Sequence, residues 1–165
     1  MTPITQVRGF IPFLVIVFLQ AAVPLGHSAV LYKVIAQDFA GSEALMLVAL
    51  VNVLVLLPLV LMFSPAGFIA DKYPRPQVIR QTSLAGLLIT LAIAGGYYTG
   101  WFYLAYGLTA VLAIQNALFT PSIYSHIREM VSREDLAKAN GLVHASSILG
   151  MLVGALALSA LANIV

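Results

Sequence analysis

The chain alternates long apolar stretches with short polar ones. Residues 10–35, 45–69, 81–97, 102–119 and 136–162 are built mainly from Leu, Ile, Val, Ala and Phe, and their only charged residues are Lys33 and Lys138, near span edges. An apolar run of about 20 residues crosses a bilayer as a helix, because a spanning segment must satisfy its own backbone hydrogen bonds. The pattern predicts an all-α membrane protein with five transmembrane helices.

The polar stretches between them read as turns. Residues 37–44 carry Asp38 and Glu43 around Gly41-Ser42, a turn signal. Residues 67–80 are the densest polar stretch, with one acid, Asp71, and three bases, Lys72, Arg75 and Arg80. They are expected to form a tight loop between spans two and three. Residues 95–101 are expected to turn at the opposite side of the membrane, where Tyr97, Tyr98, Trp101, Phe102 and Tyr103 form an aromatic belt at headgroup level. No bases accompany these rings, which argues against a base-stacking surface. Pro121 is expected to end the fourth span. Residues 122–140 then form a polar connection in which Ser132-Arg133-Glu134-Asp135 has the form of a capping box that starts the last helix.

Composition narrows the class further. The 165 residues are 61% hydrophobic and 8% charged, against roughly 25% charged in soluble domains. There is no basic patch to suit nucleic acid. The absence of cysteine rules out disulfides and thiolate metal sites. Arg8 before the first apolar run superficially resembles a signal peptide, but the run is too long for one and reads as an uncleaved span. Bases gather at Arg8, at residues 72–80 and at residues 128–138. The positive-inside rule therefore places the N-terminus in the cytoplasm and, after five spans, Val165 on the outer side.

Candidate chemistry lies inside the spans. The first holds Gln20, Pro24, His27, Ser28 and Tyr32; the second Asn52, Pro58 and Pro65; the fourth Gln115 and Asn116; the third is the blandest. Pro24 is expected to kink its helix. Rises of about 1.5 Å per residue put His27 and Asn52 at one level, and Gln20, Gln115 and Asn116 at a second, deeper one. These five are the candidate substrate contacts; the rival reading is that they only bind helices together. Amides and a neutral imidazole suit a polar or zwitterionic headgroup better than a bare anion. Gly150 and Gly154 in the fifth span form a small-residue pair that admits another helix closely. Nothing supports an enzyme: no nucleophile–base set, phosphate loop or metal spacing is found, His126, His144 and Asp135 included, and no cofactor or metal is expected.

Gly67, Ala70, Asp71, Lys72 and Arg75, placed after the second span, resemble the signature loop of the major facilitator superfamily. More closely, the chain resembles the N-terminal part of the lysophospholipid transporter group, which in bacteria is often fused to an acyltransferase and an acyl-carrier-protein synthetase. The stretches Phe18-Leu19-Gln20-Ala21, Leu25-Gly26-His27, Phe63-Ser64-Pro65-Ala66-Gly67-Phe68, Phe119-Thr120-Pro121-Ser122-Ile123-Tyr124 and Ala137-Lys138-Ala139-Asn140-Gly141-Leu142-Val143 carry this likeness.

The resemblance implies a partial N-terminal six-helix bundle, with a sixth span after Val165. Spans one and four would line a central cavity, two and five would face the other half, and three would face lipid. It implies Gly67, Asp71, Lys72 and Arg75 as a conformational-switch loop whose acid engages the partner half. The partners implied are the bilayer, the remaining transporter half or a second chain, and acyltransferase domains. The location implied is the bacterial inner membrane, and the activity is transport of an amphipathic solute, foremost a lysophospholipid. The alternatives are a non-transporting module that anchors acyltransferase domains, and a fragment of a drug or small-solute exporter.

Two positions depart from the group's pattern. Pro24 stands where an acid is usual, and Ile123 where a lysine is usual. If those groups pair in relatives, losing both avoids an unpaired charge in the membrane. The arginine that many exporters carry in the fourth span is also absent.

Overall fold

A computed structural model describes residues 7–161. It contains five helices: α1 (Phe10–Asp38), α2 (Gly41–Lys72), α3 (Arg75–Tyr98), α4 (Phe102–Met130) and α5 (Leu136–Leu161). All five are long and apolar enough to cross a membrane. The expected end of the fifth span at residue 162, and anything after Val165, lie outside the described residues.

The helices outrun the apolar stretches that announce them. α4 has 29 residues and α2 has 32, about 43 and 48 Å at 1.5 Å per residue, against a hydrocarbon core of about 30 Å. Their ends reach the headgroup zone, where charged side chains meet water without breaking the helix. The expected loops shrink accordingly. Residues 67–72 are the last turns of α2 and Arg75 opens α3, so only Tyr73-Pro74 connects them. Pro121 does not end α4, which runs on to Met130; most of the expected polar connection is helix, and only residues 131–135 lie outside it. Other spanning helices also run through prolines, α1 through Pro24 and α2 through Pro58 and Pro65. Near Pro121, the hydroxyls of Thr120 and Ser122 donate to the carbonyls of Asn116 and Leu118.

The expected capping box is also displaced. Ser132 Oγ donates to the Asp135 carboxylate at 3.1 Å, and the Asp135 carbonyl accepts from Ala139 N–H at 2.9 Å. Asp135 is therefore the residue from which α5 departs. At the other end, α3 closes through Gly100, whose φ of +73° favours glycine; Trp101 N–H reaches back to the Gly96 carbonyl at 2.8 Å.

α1 packs chiefly on α5, while α2 and α3 pack on α4. The α1–α5 seam is made by small residues. A Cβ added at Gly150 would fall on the Phe18 carbonyl oxygen, and one at Gly154 on that of Ala22. Gly26 faces the Gly154 carbonyl oxygen in turn. Ser146 Oγ donates to the Leu14 carbonyl at 2.9 Å. Positions 14, 18 and 22 thus meet 146, 150 and 154 in order, so the helices run parallel. Hydrophobicity cannot draw two helices together in lipid, so close backbone approach must supply the attraction.

Three apolar clusters complete the body. Phe10, Phe13, Val17, Ile79, Phe119, Ile123, Ile127, Ala139 and Val143 join four helices at the end rich in bases. Leu31, Ile35 and Val51 pack with Tyr97, Phe102 and Tyr106 at the aromatic end. Ile93, Ala105 and Leu112 tie α3 to α4.

Burial is uneven. In the most apolar window of each helix the buried share is 39% for α4 and 28% for α3, but only 17% for α2 and for α5. α3 is therefore more enclosed within this body than its bland sequence suggests. Gly86 and Gly96 let it lie against α4 while Leu84, Leu87, Leu88 and Leu91 stay exposed on its other side.

Candidate functional site

Among the candidate polar residues, His27 and Gln115 each anchor an assembly inside the bundle, and Asn52 forms an exposed pair with Tyr32. The first centres on His27 of α1. Its Nε2 lies 3.0 Å from Thr109 Oγ1 on α4, and its Nδ1 lies 3.3 Å from the Tyr97 hydroxyl on α3. One arrangement satisfies every group. Tyr97 donates to Nδ1, the Nε2 proton goes to Thr109, and the Thr109 hydroxyl points on toward the Ala105 carbonyl at 3.5 Å. In this arrangement the imidazole of His27 on α1 is neutral and bridges α3 and α4.

Beside it is a cavity of about 270 Å³ among α1, α2, α4 and α5. Its walls include Pro24, His27, Ser28, Thr109, Asn116 and Met151. This is a mostly apolar space with a few polar groups converging on it, the usual form of a small-molecule site.

The second assembly joins Gln20 of α1 to Gln115 of α4. Gln115 Nε2 donates to the Thr82 carbonyl of α3 at 2.9 Å and approaches Gln20 Oε1 at 3.4 Å. Gly86 makes room for both amides, since a Cβ there would stand 3.0 Å from Gln20 Oε1.

The sequence-based levels are half right. Gln20 and Gln115 meet as expected. Asn116 does not join them; it shares the cavity with His27. Asn52 does not meet His27. It sits exposed on α2, bonded to the Val48 carbonyl at 2.9 Å and near the Tyr32 hydroxyl at 3.4 Å. Counting rises gives depth along a helix and nothing about rotation around it. Neighbours such as Gln115 and Asn116 point about 100° apart on a helix of 3.6 residues per turn.

Thr82, Tyr97 and Thr109 carry no signal of their own in the sequence. Tyr97 lies in the aromatic belt by position yet turns inward to His27, while Tyr98, Trp101 and Tyr103 stay exposed. Pro24 and Ile123 are not neighbours. Pro24 lines the cavity and Ile123 packs in the cluster at the basic end, so the structure does not bring the two departures together.

At the basic end, Arg75 forms an ion pair with Glu129 of α4, and His126 stands 3.7 Å from the same carboxylate. Lys72 Nζ lies over the rings of Phe68 and Tyr73. Asp71 is exposed and has no hydrogen-bond or ion-pair partner among the described residues. A Cβ added at Gly67 meets nothing within 4 Å.

Comparison with known proteins places this architecture. Residues 13–165 match the family profile of the Major Facilitator Superfamily. The chain belongs to that superfamily. Within it, the chain is 30% identical over 147 residues to the lysophospholipid transporter LplT of Photorhabdus laumondii, covering 89% of the chain and 35% of that protein. It is 34% identical over 97 residues to LplT of Serratia proteamaculans, covering 59% of the chain and 23% of that protein. LplT of Enterobacter sp. (strain 638) is 30% identical over 104 residues, covering 62% of the chain and 25% of that protein. The matched part of the chain spans between 23% and 35% of the length of these relatives. No solved structure gives a significant match.

Proposed function

We propose that this chain forms part of a secondary transporter that moves lysophospholipid across the bacterial inner membrane by alternating access. The carrying observation is the uncharged polar wall on α1 and α4, in which His27 and Gln115 are buried and Gln20 and Asn116 half-buried. His27 and Asn116 line one cavity, Gln20 and Gln115 meet one another across α1 and α4, and none of these groups carries a formal charge. An uncharged wall suits a glycerol or zwitterionic headgroup. The similarity to LplT supports the same substrate class.

On this reading the thinly buried faces of α2 and α5 meet the other half of the transporter. Gly67 and Asp71 are spare in the five-helix body because their partners belong to that half. The basic end, with Arg8, Lys72, Arg75 and Arg80, faces the cytoplasm, where anionic lipids attract each base by about 1 kcal/mol. Acyltransferase domains would receive the product on that side.

The test is uptake of headgroup-labelled lysophospholipid by vesicles holding the full-length protein. Asn116→Leu is expected to lower transport about tenfold, equivalent to about 1.4 kcal/mol, while Asn52→Ala leaves it near wild type. No uptake by the intact protein would leave the anchoring module as the better reading. Uptake of unrelated cationic drugs with no response to lysolipid would favour an exporter.

A further inference from the structure

The cavity beside His27 is walled on the α4 side by Thr109 and Asn116. From Asn116 the helix runs on toward the basic end through Thr120, Tyr124 and Arg128, each four residues after the last. Side chains four apart on a helix lie one above another, so these four form a single polar stripe. Across from the stripe stands α5. Met151 lines the cavity, and His144, two turns earlier, shares its face. His144 Nε2 lies 3.3 Å from the Tyr124 hydroxyl, with the two rings tilted at 41°. α5 packs chiefly on α1 and touches α4 little, so the pair stands in an open cleft, His144 exposed and Tyr124 half-buried.

Three features make this pair more than a tie between helices. The first is a spare donor. A phenol and a neutral imidazole carry one polar hydrogen each, and their mutual bond uses one of them. Either Tyr124 donates to Nε2 and the Nδ1 hydrogen is left over, or Nε2 donates to the phenol oxygen and the O–H is left over. No other partner takes either hydrogen among the described residues. The second is a cation one turn further on. Arg128 is exposed and has no ion-pair partner among the described residues. The third is what the His27 cavity lacks. No charged side chain lines it, so it has no counter-charge for an anionic oxygen.

We propose that Tyr124 and His144 form a second station on the path, a site for the phosphodiester of a single-chain phospholipid between the His27–Asn116 cavity and the basic end. The spare hydrogen of the pair donates to a phosphate oxygen, a charge-assisted bond stronger than one between neutral groups. Arg128 draws the same phosphate toward the mouth of the cleft. Asn116 and Tyr124 are about 12 Å apart along the helix at 1.5 Å per residue. That is farther than one glycerophosphate reaches, so the headgroup occupies the two positions in turn. The site takes its ligand class from the transport reading, but its preference for phosphate rests on the pair itself.

The experiment is equilibrium binding to the full-length protein in detergent. The probes are radiolabelled lysophosphatidylcholine and a monoacylglycerol of the same chain, which lacks the phosphate. Tyr124→Phe combined with His144→Ala removes both hydrogens. It is expected to weaken half-saturation by lysophosphatidylcholine about tenfold, the range of one hydrogen bond to a charged group, and by monoacylglycerol less than about twofold. Each single variant keeps one hydrogen and should fall between wild type and the double variant. His144→Gln, which keeps an N–H, should bind lysophosphatidylcholine more tightly than His144→Ala. Glycerophosphocholine, which has the phosphodiester but no chain, should not displace the lysolipid at equal concentration. Equal weakening for both lipids would mean that the pair only ties α4 to α5, and would overturn the proposal. So would unchanged lysophosphatidylcholine binding in the double variant, or displacement by equal glycerophosphocholine. The transport reading fails separately: if vesicles of the intact protein show no uptake, a phosphate preference that vanishes in the double variant still upholds this site.

Discussion

The α1–α5 seam and the α1–α3–α4 interior hold helices together by opposite means. In the seam, Gly26, Gly150 and Gly154 bring two backbones into contact and leave no room for anything else. In the interior, larger side chains keep the helices apart, and the space contains His27, Thr109, Gln20 and Gln115, with a cavity beside His27. The difference teaches where tolerance lies. A backbone contact cannot yield, so any added atom there separates whole helices. A side-chain network can lose a member and repack. Rigidity along α1–α5 and adaptable polar space beside α4 are what a moving cavity wall requires.

The comparison breaks most sharply at Gly154. Gly154→Leu should leave no correctly folded protein, seen as aggregation in size-exclusion profiles, because the new side chain has no position clear of the Ala22 carbonyl. A monodisperse, stable Gly154→Leu protein would show that the seam is not a true contact. In the interior, Thr109→Val should strip His27 Nε2 of its partner and cost about 1–2 kcal/mol, read as a lowered thermal unfolding midpoint, without loss of fold. Gln115→Leu removes the bridge to Thr82 and Gln20 and should cost about 1 kcal/mol by the same measurement. Ser146→Ala sharpens the contrast within the seam itself. Losing one hydroxyl bond to Leu14 while keeping the backbone contact should cost only about 0.5 kcal/mol. Asn52→Ala, exposed on α2, should change stability by less than about 0.5 kcal/mol; a larger drop would reveal a role for α2 that the five-helix body does not show.

The five spans were legible because hydropathy over some 20 residues reports directly on lipid. Their ends were not, since charged residues at Asp71 and Arg128 continue as helix outside the hydrocarbon, where hydropathy no longer distinguishes helix from loop. The polar residues of the site could be named from the sequence, but their pairing could not. Gln20 and Gln115 were matched by depth; His27 and Asn52 were mismatched because depth leaves rotation free. Thr109 and Tyr97 were missed since a hydroxyl in a membrane helix most often bonds its own backbone, as Thr82 does to Val78. The small pair at Gly150 and Gly154 was visible, yet its partner became known only when α1 presented Phe18 and Ala22 at matching spacing.

That matching spacing bears on how the protein is made. Leu14 and Ser146 stand 132 residues apart in the chain, so at synthesis rates of about 5–20 residues per second the first helix waits between roughly 7 and 26 s for its mate. Throughout that interval its glycine-bearing flank lies open to any other small-residue helix in the translocation machinery or the surrounding lipid. Among the five described helices, the clasp with the closest backbone contacts is therefore the last to close, and an insertion defect need not touch that clasp to prevent it from ever forming.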